Sequence, residues 1–414
     1  MAEIRFIFAG VFIDGTAAAA RRNVMLTVEN GIITAINPAT RPGADDDIPI
    51  DDLSCCTILP ALVDCSVFLS RSPAVDQRMR SADEESGPAI KAAMVERHIY
   101  DCHAHGVRGV ADCGDISGLI KDYQGRMAEE NIIDIKTSGP LCRDRHWAAD
   151  SPANNDFIKI AYDDNIEAAD ARHPRLSHED LRYILRLRGR KKAVVTANGR
   201  QSVKEALEAG CDAIEQGYAM GENNLREMAD KGVLWIPNLL RAKNALDSAG
   251  SSGDVGCRFS HRYVAPGKRQ PGAEAFWQKT LNEQLKQLRF ARELGLTTAV
   301  GTGAGSIGIL HGESMAEEMK LFIKAGYTRE ETIHCASENG AGFFGMKELG
   351  ALTVGRQATF LITRGTAQQL PRKLSYLEGI YVDGIPSAIY HKNHEQVPAK
   401  PLTGDLHIKE KPSA

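Results

Sequence analysis

Short apolar segments alternate with helix-like segments along most of the chain, and this alternation restricts the fold more than any other feature of the sequence. Apolar strands separated by helices are typical of parallel βαβ units. Eight such units between residues 57 and 349 predict an α/β fold, specifically a (β/α)8 TIM-like barrel. The predicted strands are TILPALVD (57–64), RGVADC (108–113), IIDIKTSG (132–139), FIKIAY (157–162), AVVTAN (193–198), DAIEQG (212–217), VLWIPN (233–238) and TTAVGTG (297–303).

The two ends of the chain follow a different pattern. Residues 1–56 alternate apolar and polar side chains, and Glu29-Asn30-Gly31 lies between two strand-like runs as a hairpin turn. The same β-like alternation returns in residues 350–394. We predict that these segments form one composite β-sandwich domain beside the barrel of residues 57–349. Residues 395–414 are rich in Lys, Pro and Glu, which predicts a loosely ordered tail.

Composition excludes several classes of protein. The 414 residues are 43% hydrophobic and 25% charged, with a formal net charge of -4 and no long basic or acidic run. We therefore expect neither a nucleic acid nor a membrane as partner. No signal peptide or apolar run of about 18 residues is present, so we expect a cytoplasmic protein. The nine cysteines lack CxxC spacing and are read as reduced thiols. The sequence leaves open whether the chain forms a homo-oligomer.

Three spans resemble the amidohydrolase superfamily, in particular its composite-domain branch of imidazolonepropionase-like and prolidase-like enzymes. Together with the strand spacing, the resemblance covers residues 5 to about 390. The spans are VENGIITAI with TILPALVD, SVKEALEAGCDAIEQG with MADKGVLWIPNL, and ELGLTTAVGTGAGSIGILHGE with AGYTREETIHCASENGAGFFGM and KELGALTVGRQATFLI. The resemblance implies a metal centre at the carboxyl-terminal mouth of the barrel, where metal-bound hydroxide attacks an amide, ester or ring carbon.

The residue types that would bind this metal are missing. In the family's Asp-x-His-x-His motif Asp64 is present, but Ser66 and Phe68 hold the histidine positions. Strand 8 has Gly303 in place of the metal-binding aspartate. Strands 5 and 6 carry Thr196-Ala197-Asn198 and Glu215-Gln216-Gly217 where the resemblance implies His-x-His and Glu-His-Gly. We therefore predict no metal and no other cofactor.

Three residues are candidates for catalysis. The resemblance places Lys159 where the family has a carboxylated, metal-bridging lysine, and without metal it could serve as a base or an anion anchor, or be a structural remnant paired with a carboxylate. His311 matches a His-Gly after strand 8 and is a candidate acid or base, or a structural loop histidine. Cys65 is a candidate nucleophile, although strand alternation places it on the face opposite Ser66 and Phe68, which favours a buried filler.

Two loops that follow strands 3 and 7 carry basic and aromatic side chains and would lie over the mouth of the barrel. The longer loop after strand 7 could act as a lid. The cluster in that loop also fits an ordinary solvated surface. The predicted ligand-binding residues are Ser66, Phe68, Thr196, Asn198, Gln216 and Thr302 at strand ends, Arg143, Arg145, His146 and Trp147 after strand 3, and Arg258, His261, Arg262 and Tyr263 after strand 7.

These residues favour a small polar or anionic organic molecule as ligand. Three hypotheses remain for the function. The first is a metal-independent hydrolase or related enzyme on the amidohydrolase scaffold. The second is a non-catalytic homologue that binds a ligand or acts as the regulatory or partner subunit of an active protein. The third is a metal-dependent C–N hydrolase with relocated ligands, which would need a new coordination geometry.

Overall fold

The computed structural model describes residues 3–40, 50–115, 118–126, 132–145, 154–163, 166, 176–250, 272–390 and 392. The predicted tail, residues 395–414, lies outside these ranges.

Strands from both ends of the chain form one seven-stranded sheet with the order β14-β13-β12-β4-β1-β2-β3. β12 runs antiparallel to β4, with Leu361 opposite Leu59, and this pairing joins the two terminal segments. The predicted hairpin is present, because Asn30 and Gly31 both have the positive φ that a tight turn between β2 and β3 requires. The strands are β1 Ile4–Phe12, β2 Arg21–Glu29, β3 Ile32–Pro38, β4 Ile50–Pro60, β12 Phe360–Arg364, β13 Leu377–Val382 and β14 Ile385–Pro386. The two terminal segments therefore join in one seven-stranded sheet among the described residues, and the sandwich stays a prediction.

The first predicted barrel strand, residues 57–64, is divided between two sheets. β4 continues to Pro60 in the seven-stranded sheet, and β5 begins at Leu62 in a different sheet. Proline has no N–H with which to extend the ladder. The N–H of Leu62 instead donates to the Gly106 carbonyl at 2.9 Å.

Two parallel sheets make up the centre of the remaining chain. One has the order β5-β6-β7 and the other β11-β10-β9-β8, and every pairing within them is parallel. Their strands overlap the first seven predicted segments, although β5 extends three residues beyond its segment and β6 begins one residue before its segment. They are β5 Leu62–Val67, β6 Val107–Asp112, β7 Asp134–Thr137, β8 Ile158–Ala161, β9 Ala193–Ala197, β10 Ala213–Gln216 and β11 Leu234–Ile236.

The eighth predicted strand, residues 297–303, is not a regular strand. Thr298 forms a parallel bridge with Trp235 of β11, and Ala304 forms one with Val67 of β5. Gly303 and Gly305 have φ values of 74° and 89°, which a regular ladder does not accommodate. On the opposite side, Cys142 bridges Ile160 of β8. Among the described residues, isolated bridges connect the two sheets.

Helices follow the parallel strands, as a βαβ arrangement requires. α2 ends near Gly106, whose φ of 80° suits the position after a helix. The helices are α1 Gln77–Glu85, α2 Pro88–Ala104, α3 Leu119–Arg126, α4 His178–Leu187, α5 Arg200–Ala209, α6 Glu222–Lys231, α7 Leu239–Gly250, α8 Ala273–Glu293, α9 Ser314–Ala325, α10 Arg329–Cys335 and α11 Glu338–Phe344, with short 3-10 turns at Ala367–Gln369 and Arg372–Tyr376.

Among the described residues, no helix combines the length and apolar character that a membrane span needs. The cysteines in these ranges are free thiols, and all but Cys55 are buried.

Candidate functional site

A cavity of about 120 Å³ opens where the parallel strands end. Its walls come from the strands themselves and from the segments that immediately follow them, which is the usual place for ligands in parallel α/β folds. The lining residues are Ser66, Phe68, Arg71, Leu141, Arg143, Lys159, Ala161, Thr196, Glu215, Gln216, Asn238, Arg241, Thr302, Gly303, Ser306 and Ile309.

The Glu215 carboxylate is the hydrogen-bonding centre of this cavity. It accepts hydrogen bonds from Ser66 Oγ and from Lys159 Nζ. Thr196 Oγ1 donates to Glu215 Oε2 at 2.8 Å. Lys159 and Glu215 are 1% and 4% exposed, so this is a buried ion pair on the cavity wall. Burial alone would raise the pKa of Glu215, but the Lys159 ammonium and the three hydrogen-bond donors outweigh burial and hold this pKa below its usual value.

A second buried carboxylate fixes the irregular eighth segment. Asp64 accepts a hydrogen bond from the backbone N–H of Thr302 at 2.9 Å and another from Thr302 Oγ1 at 2.5 Å. Burial raises the pKa of Asp64 to about 6, against the lowering effect of these hydrogen bonds. Asp64 is therefore occupied in holding Thr302 at the cavity wall.

Five of the six predicted strand-end residues line the cavity together with Lys159, but Asn198 does not. Its Nδ2 donates to Gln216 Oε1 at 2.8 Å and to the Asp163 carbonyl at 3.0 Å. Its Oδ1 accepts a hydrogen bond from the Tyr218 N–H. Asn198 therefore orients Gln216, whose backbone has a positive φ of 68°, instead of lining the cavity itself.

Three arginines give the cavity its charge. Arg71 follows β5, Arg143 follows β7, and Arg241 lies at the start of α7 after β11. Arg71 stacks over the Phe68 ring at 4.1 Å from its centroid. Burial and the neighbouring Arg143 lower the pKa of Arg71. Glu215 is the one carboxylate among the described lining residues and pairs with Lys159, and the lining also contains these three guanidinium groups.

Arg145 was predicted to bind the ligand but does not line the cavity. Its guanidinium lies 3.5 Å from Asp180 Oδ1 and 4.4 Å above the centroid of the Tyr183 ring. Both partners belong to α4, so Arg145 contacts that helix and is absent from the cavity lining.

The catalytic role predicted for His311 is not supported by its position. The ring stacks on His98 with centroids 3.8 Å apart, and its Nε2 lies 3.1 Å from the Phe68 carbonyl. His311 does not line the cavity. Burial, with His98 beside it, lowers the pKa of His311 well below its ordinary value, so the imidazole is neutral near pH 7.

Cys65 also lies away from the cavity. A methyl group added at Gly340 of α11 would meet the Cys65 sulfur, so this thiol packs between β5 and α11. Burial raises the pKa of Cys65 well above its ordinary value, which keeps the thiol protonated. Strand alternation has the expected result here, because Ser66 on the other face reaches the cavity.

The remaining predicted residues lie outside the described parts of the chain. They are His146, Trp147, Arg258, His261, Arg262 and Tyr263.

The donor set at the cavity does not fit the metal centre that the fold family implies. Of the residues at the implied ligand positions, Ser66, Thr196 and Gln216 are weak zinc ligands, and Lys159 donates to Glu215. In the described ranges, no three His, Cys, Asp or Glu side chains are grouped so that they could hold a metal ion.

Sequence reasoning missed Arg71, Arg241 and Asn238 and gave no role to Glu215. A signal for the two arginines exists, because each follows a predicted strand by a few residues. Loops after barrel strands carry ligand-binding groups. Glu215 was overlooked because its role depends on Lys159, which lies 56 residues earlier in the chain.

No protein-family model and no curated protein sequence matches the chain. Solved structures do match. A Xaa-Pro dipeptidase with bound methionine in its active site superposes with a TM-score of 0.76 and 18% identity over 93% of this chain and 100% of that chain. A. niger ochratoxinase superposes with a TM-score of 0.72 and 17% identity over 93% of this chain and 95% of that chain. Molinate hydrolase superposes with a TM-score of 0.73 and 16% identity over 100% of this chain and 99% of that chain. Similarity at this level of identity concerns the fold, and the chain therefore shares its fold with these solved structures.

Proposed function

We propose that this protein binds a small organic anion in the cavity at the strand ends and that it does so without a metal ion. The observation that carries the proposal is the charge of the lining, where Arg71, Arg143 and Arg241 accompany a Lys159–Glu215 pair that is already neutral. Guanidinium groups bind carboxylates and phosphates through charge-assisted, often bidentate, hydrogen bonds.

The size of the cavity limits the ligand. A volume of about 120 Å³ is slightly below that of an engineered protein cavity that accepts benzene, so a ligand of about six non-hydrogen atoms fits. Ser66, Thr196 and Thr302 hydroxyl groups and the Asn238 amide add polar contacts. A short-chain carboxylate suits both the size and the polarity.

The architecture that positions this cavity is, in our proposal, an eight-stranded barrel of residues 57–349 with a composite domain of residues 1–56 and 350–394. The bridges Thr298–Trp235 and Val67–Ala304 on one side and Cys142–Ile160 on the other support it. They connect the two parallel sheets at both edges, and the irregular eighth segment takes the place of the last strand.

Hydrolysis without metal is a second candidate. The similar structures are named as hydrolases of ochratoxin, molinate or proline-containing dipeptides. In this chain Ser66 Oγ donates to Glu215, which is the contact that a nucleophile makes with a general base. Turnover of an N-acyl amino acid that disappears in Ser66→Ala, but not in Cys65→Ala, would favour this candidate.

Calorimetric titration with oxalate, malonate, succinate and inorganic phosphate at constant ionic strength tests the primary proposal. We expect binding of at least one of the probes, weakened about tenfold or more in Arg71→Gln and in Arg241→Gln, because each loses charge-assisted hydrogen bonds. Arg186→Gln changes an exposed arginine of α4 and should bind as the unchanged protein does. Equal affinity in all three variants, or no binding of any probe, would contradict the proposal.

Metal independence requires its own measurement. Elemental analysis of protein purified without chelators should give well under one equivalent of zinc, iron, manganese or nickel, because the lining lacks the donors that these ions need. Chelator treatment should change neither the anion affinity nor the unfolding midpoint. One equivalent of metal bound at the strand ends would revive the metal-dependent hydrolase.

A further inference from the structure

Lys159 places an amino group in the cavity, directly beside the Glu215 carboxylate. Its amine belongs to β8, lines the cavity, and donates to Glu215 of β10. Glu215 is held in place by Ser66 and Thr196. A nucleophile beside a base that a further group orients is the arrangement found in covalent catalysis. Among the described residues that line the cavity, none is a cysteine or histidine, so Lys159 is the strongest nucleophile there once its ammonium has given a proton to Glu215.

We propose that Lys159 forms a Schiff base with the carbonyl carbon of a small 2-oxo acid. The proposal rests on the proposed anion binding, and it names the ligand class and a covalent step at the same cavity. A 2-oxo acid has a carboxylate for the arginines and, one bond away, an electrophilic carbonyl for the amine. Its shortest members also have about six non-hydrogen atoms, which suits the cavity.

The placement of charge along the cavity supports this orientation. Lys159 and Glu215 belong to the strands, whereas Arg71, Arg143 and Arg241 lie in the segments beyond the strand ends. A carboxylate held by the arginines therefore directs the rest of the ligand inward to the strands. The Ser66 and Thr196 hydroxyl groups donate to Glu215, and their lone pairs can accept a hydrogen bond from the hydroxyl that forms on the carbonyl carbon.

The step balances without any further reactant. The Lys159 ammonium gives one proton to Glu215, and the free amine adds to the carbonyl carbon to form a carbinolamine. Glu215 returns the proton to the departing hydroxyl, which leaves as water. Overall, the ammonium and the ketone give a protonated imine and one water molecule.

Borohydride trapping tests the inference. Full-length protein is incubated with pyruvate and sodium borohydride, which reduces the imine to a stable secondary amine, and the intact mass and peptide map are measured. We expect one pyruvate-derived adduct per chain, located at Lys159. Methyl pyruvate, which lacks the negative charge, should give about tenfold less adduct because it loses the arginine hydrogen bonds.

Two variants serve as controls. Lys159→Arg keeps the positive charge beside Glu215 but cannot form an imine, so its adduct should disappear. Lys192→Arg changes a lysine that is 54% exposed and pairs with Asp212, and it should be trapped as the unchanged protein is. If Lys159→Arg does not fold, the peptide map of the unchanged protein still decides the position of the adduct.

The outcomes separate this inference from the proposed function. A pyruvate-dependent rise in the unfolding midpoint without any adduct, or adducts spread over several lysines, overturns the Schiff base and leaves anion binding intact. Failure of pyruvate and of every anion in the calorimetric panel to bind overturns both.

Discussion

The Lys159–Glu215 pair is buried on the cavity wall, and each of the two groups balances the charge of the other. A buried lysine and carboxylate stabilise each other only while both are present, because an ion left alone in the interior keeps its full desolvation cost. In this chain the pair also has hydrogen bonds from Ser66 and Thr196. The two buried charges are therefore balanced and hydrogen-bonded by side chains of this chain.

We predict that Glu215→Gln lowers the free energy of unfolding by about 3–5 kcal/mol, because it leaves the Lys159 ammonium buried without its carboxylate. Urea unfolding at pH 7 measures this. Glu208→Gln removes a carboxylate that is 46% exposed and lies 3.7 Å from Lys204, and it should change the stability by less than about 0.5 kcal/mol. Equal effects of the two substitutions would show that the buried pair is not stabilising.

Asp64 predicts a pH dependence. Burial raises its pKa from 3.8 to about 6 in the folded protein, so the folded state binds more protons than the unfolded state between these values. The stabilisation from the protonated carboxyl is complete below about pH 4 and is lost as the pH rises through 6. This difference between the folded and unfolded pKa values corresponds to roughly 3 kcal/mol.

Asp64→Asn removes this titration while its amide oxygen can still accept from Thr302 N. The difference in unfolding free energy, unchanged protein minus Asp64→Asn, should therefore fall by about 2–3 kcal/mol between pH 4 and pH 7. Asp112, whose pKa burial also raises to about 6, is present in both proteins and cancels. A difference that is constant with pH would contradict the raised pKa.

At the level of single residues, the sequence placed Ser66, Lys159, Thr196, Gln216 and Thr302 at strand ends, by strand position and by the family resemblance, and all five line the cavity. It could not identify the partners. Asn198 is hydrogen-bonded to Gln216 and does not line the cavity. His311 stacks on His98, and its Nε2 lies within hydrogen-bond distance of the Phe68 carbonyl. Such pairings depend on distances between segments far apart in the chain.

At the level of elements, the sequence predicted parallel strands wherever apolar runs were bounded by turns, but it could not predict irregularity at two places. Pro60 ends β4 and divides one apolar run between two sheets. The glycines of residues 301–305 replace the eighth strand with isolated bridges. In both places the backbone chemistry of a few residues overrides the apolar pattern.

Helix α11 packs closely on β5 at Gly340 but not at Gly342. A methyl group at Gly340 would meet Cys65 Sγ and would lie 3.0 Å from Val63 Cγ1, both in β5. At Gly342, two residues further along the same helix, nothing lies within 4 Å. The two glycines therefore lie in the same helix, but only Gly340 has no room for a methyl group.

We predict opposite signs for the two alanine substitutions. Gly340→Ala should lower the free energy of unfolding by about 1–3 kcal/mol, because the helix must move away from β5. Gly342→Ala should raise it by about 0.5–1 kcal/mol, because alanine loses less backbone entropy in a helix. Urea unfolding of both variants measures these changes. A change of the same sign in both variants would mean that α11 does not pack on β5 as described.

At the level of the whole molecule, the seven-stranded sheet contributes to two hydrophobic cores. Leu59 and Leu361 belong to the large core shared with the parallel sheets, whereas Ile58, Phe360 and Ile362 belong to a smaller core on the other face. Neighbouring residues of β4 and β12 thus point to opposite cores. Because the same strands carry both sets, the small core cannot loosen without disturbing residues that pack in the large one.

Phe360→Ala tests whether the molecule unfolds as one unit. Phe360 is fully buried in the small core and stacks on Tyr381, so its removal should cost about 3–5 kcal/mol. The three tryptophans, Trp147, Trp235 and Trp277, lie outside the terminal segments, so their fluorescence reports on the rest of the chain. If the shared strands couple the two cores, the urea midpoint measured by tryptophan fluorescence should fall by the same amount as the midpoint measured by far-UV circular dichroism. A fluorescence midpoint that stays at the value of the unchanged protein would show that the terminal sheet unfolds separately from the parallel sheets.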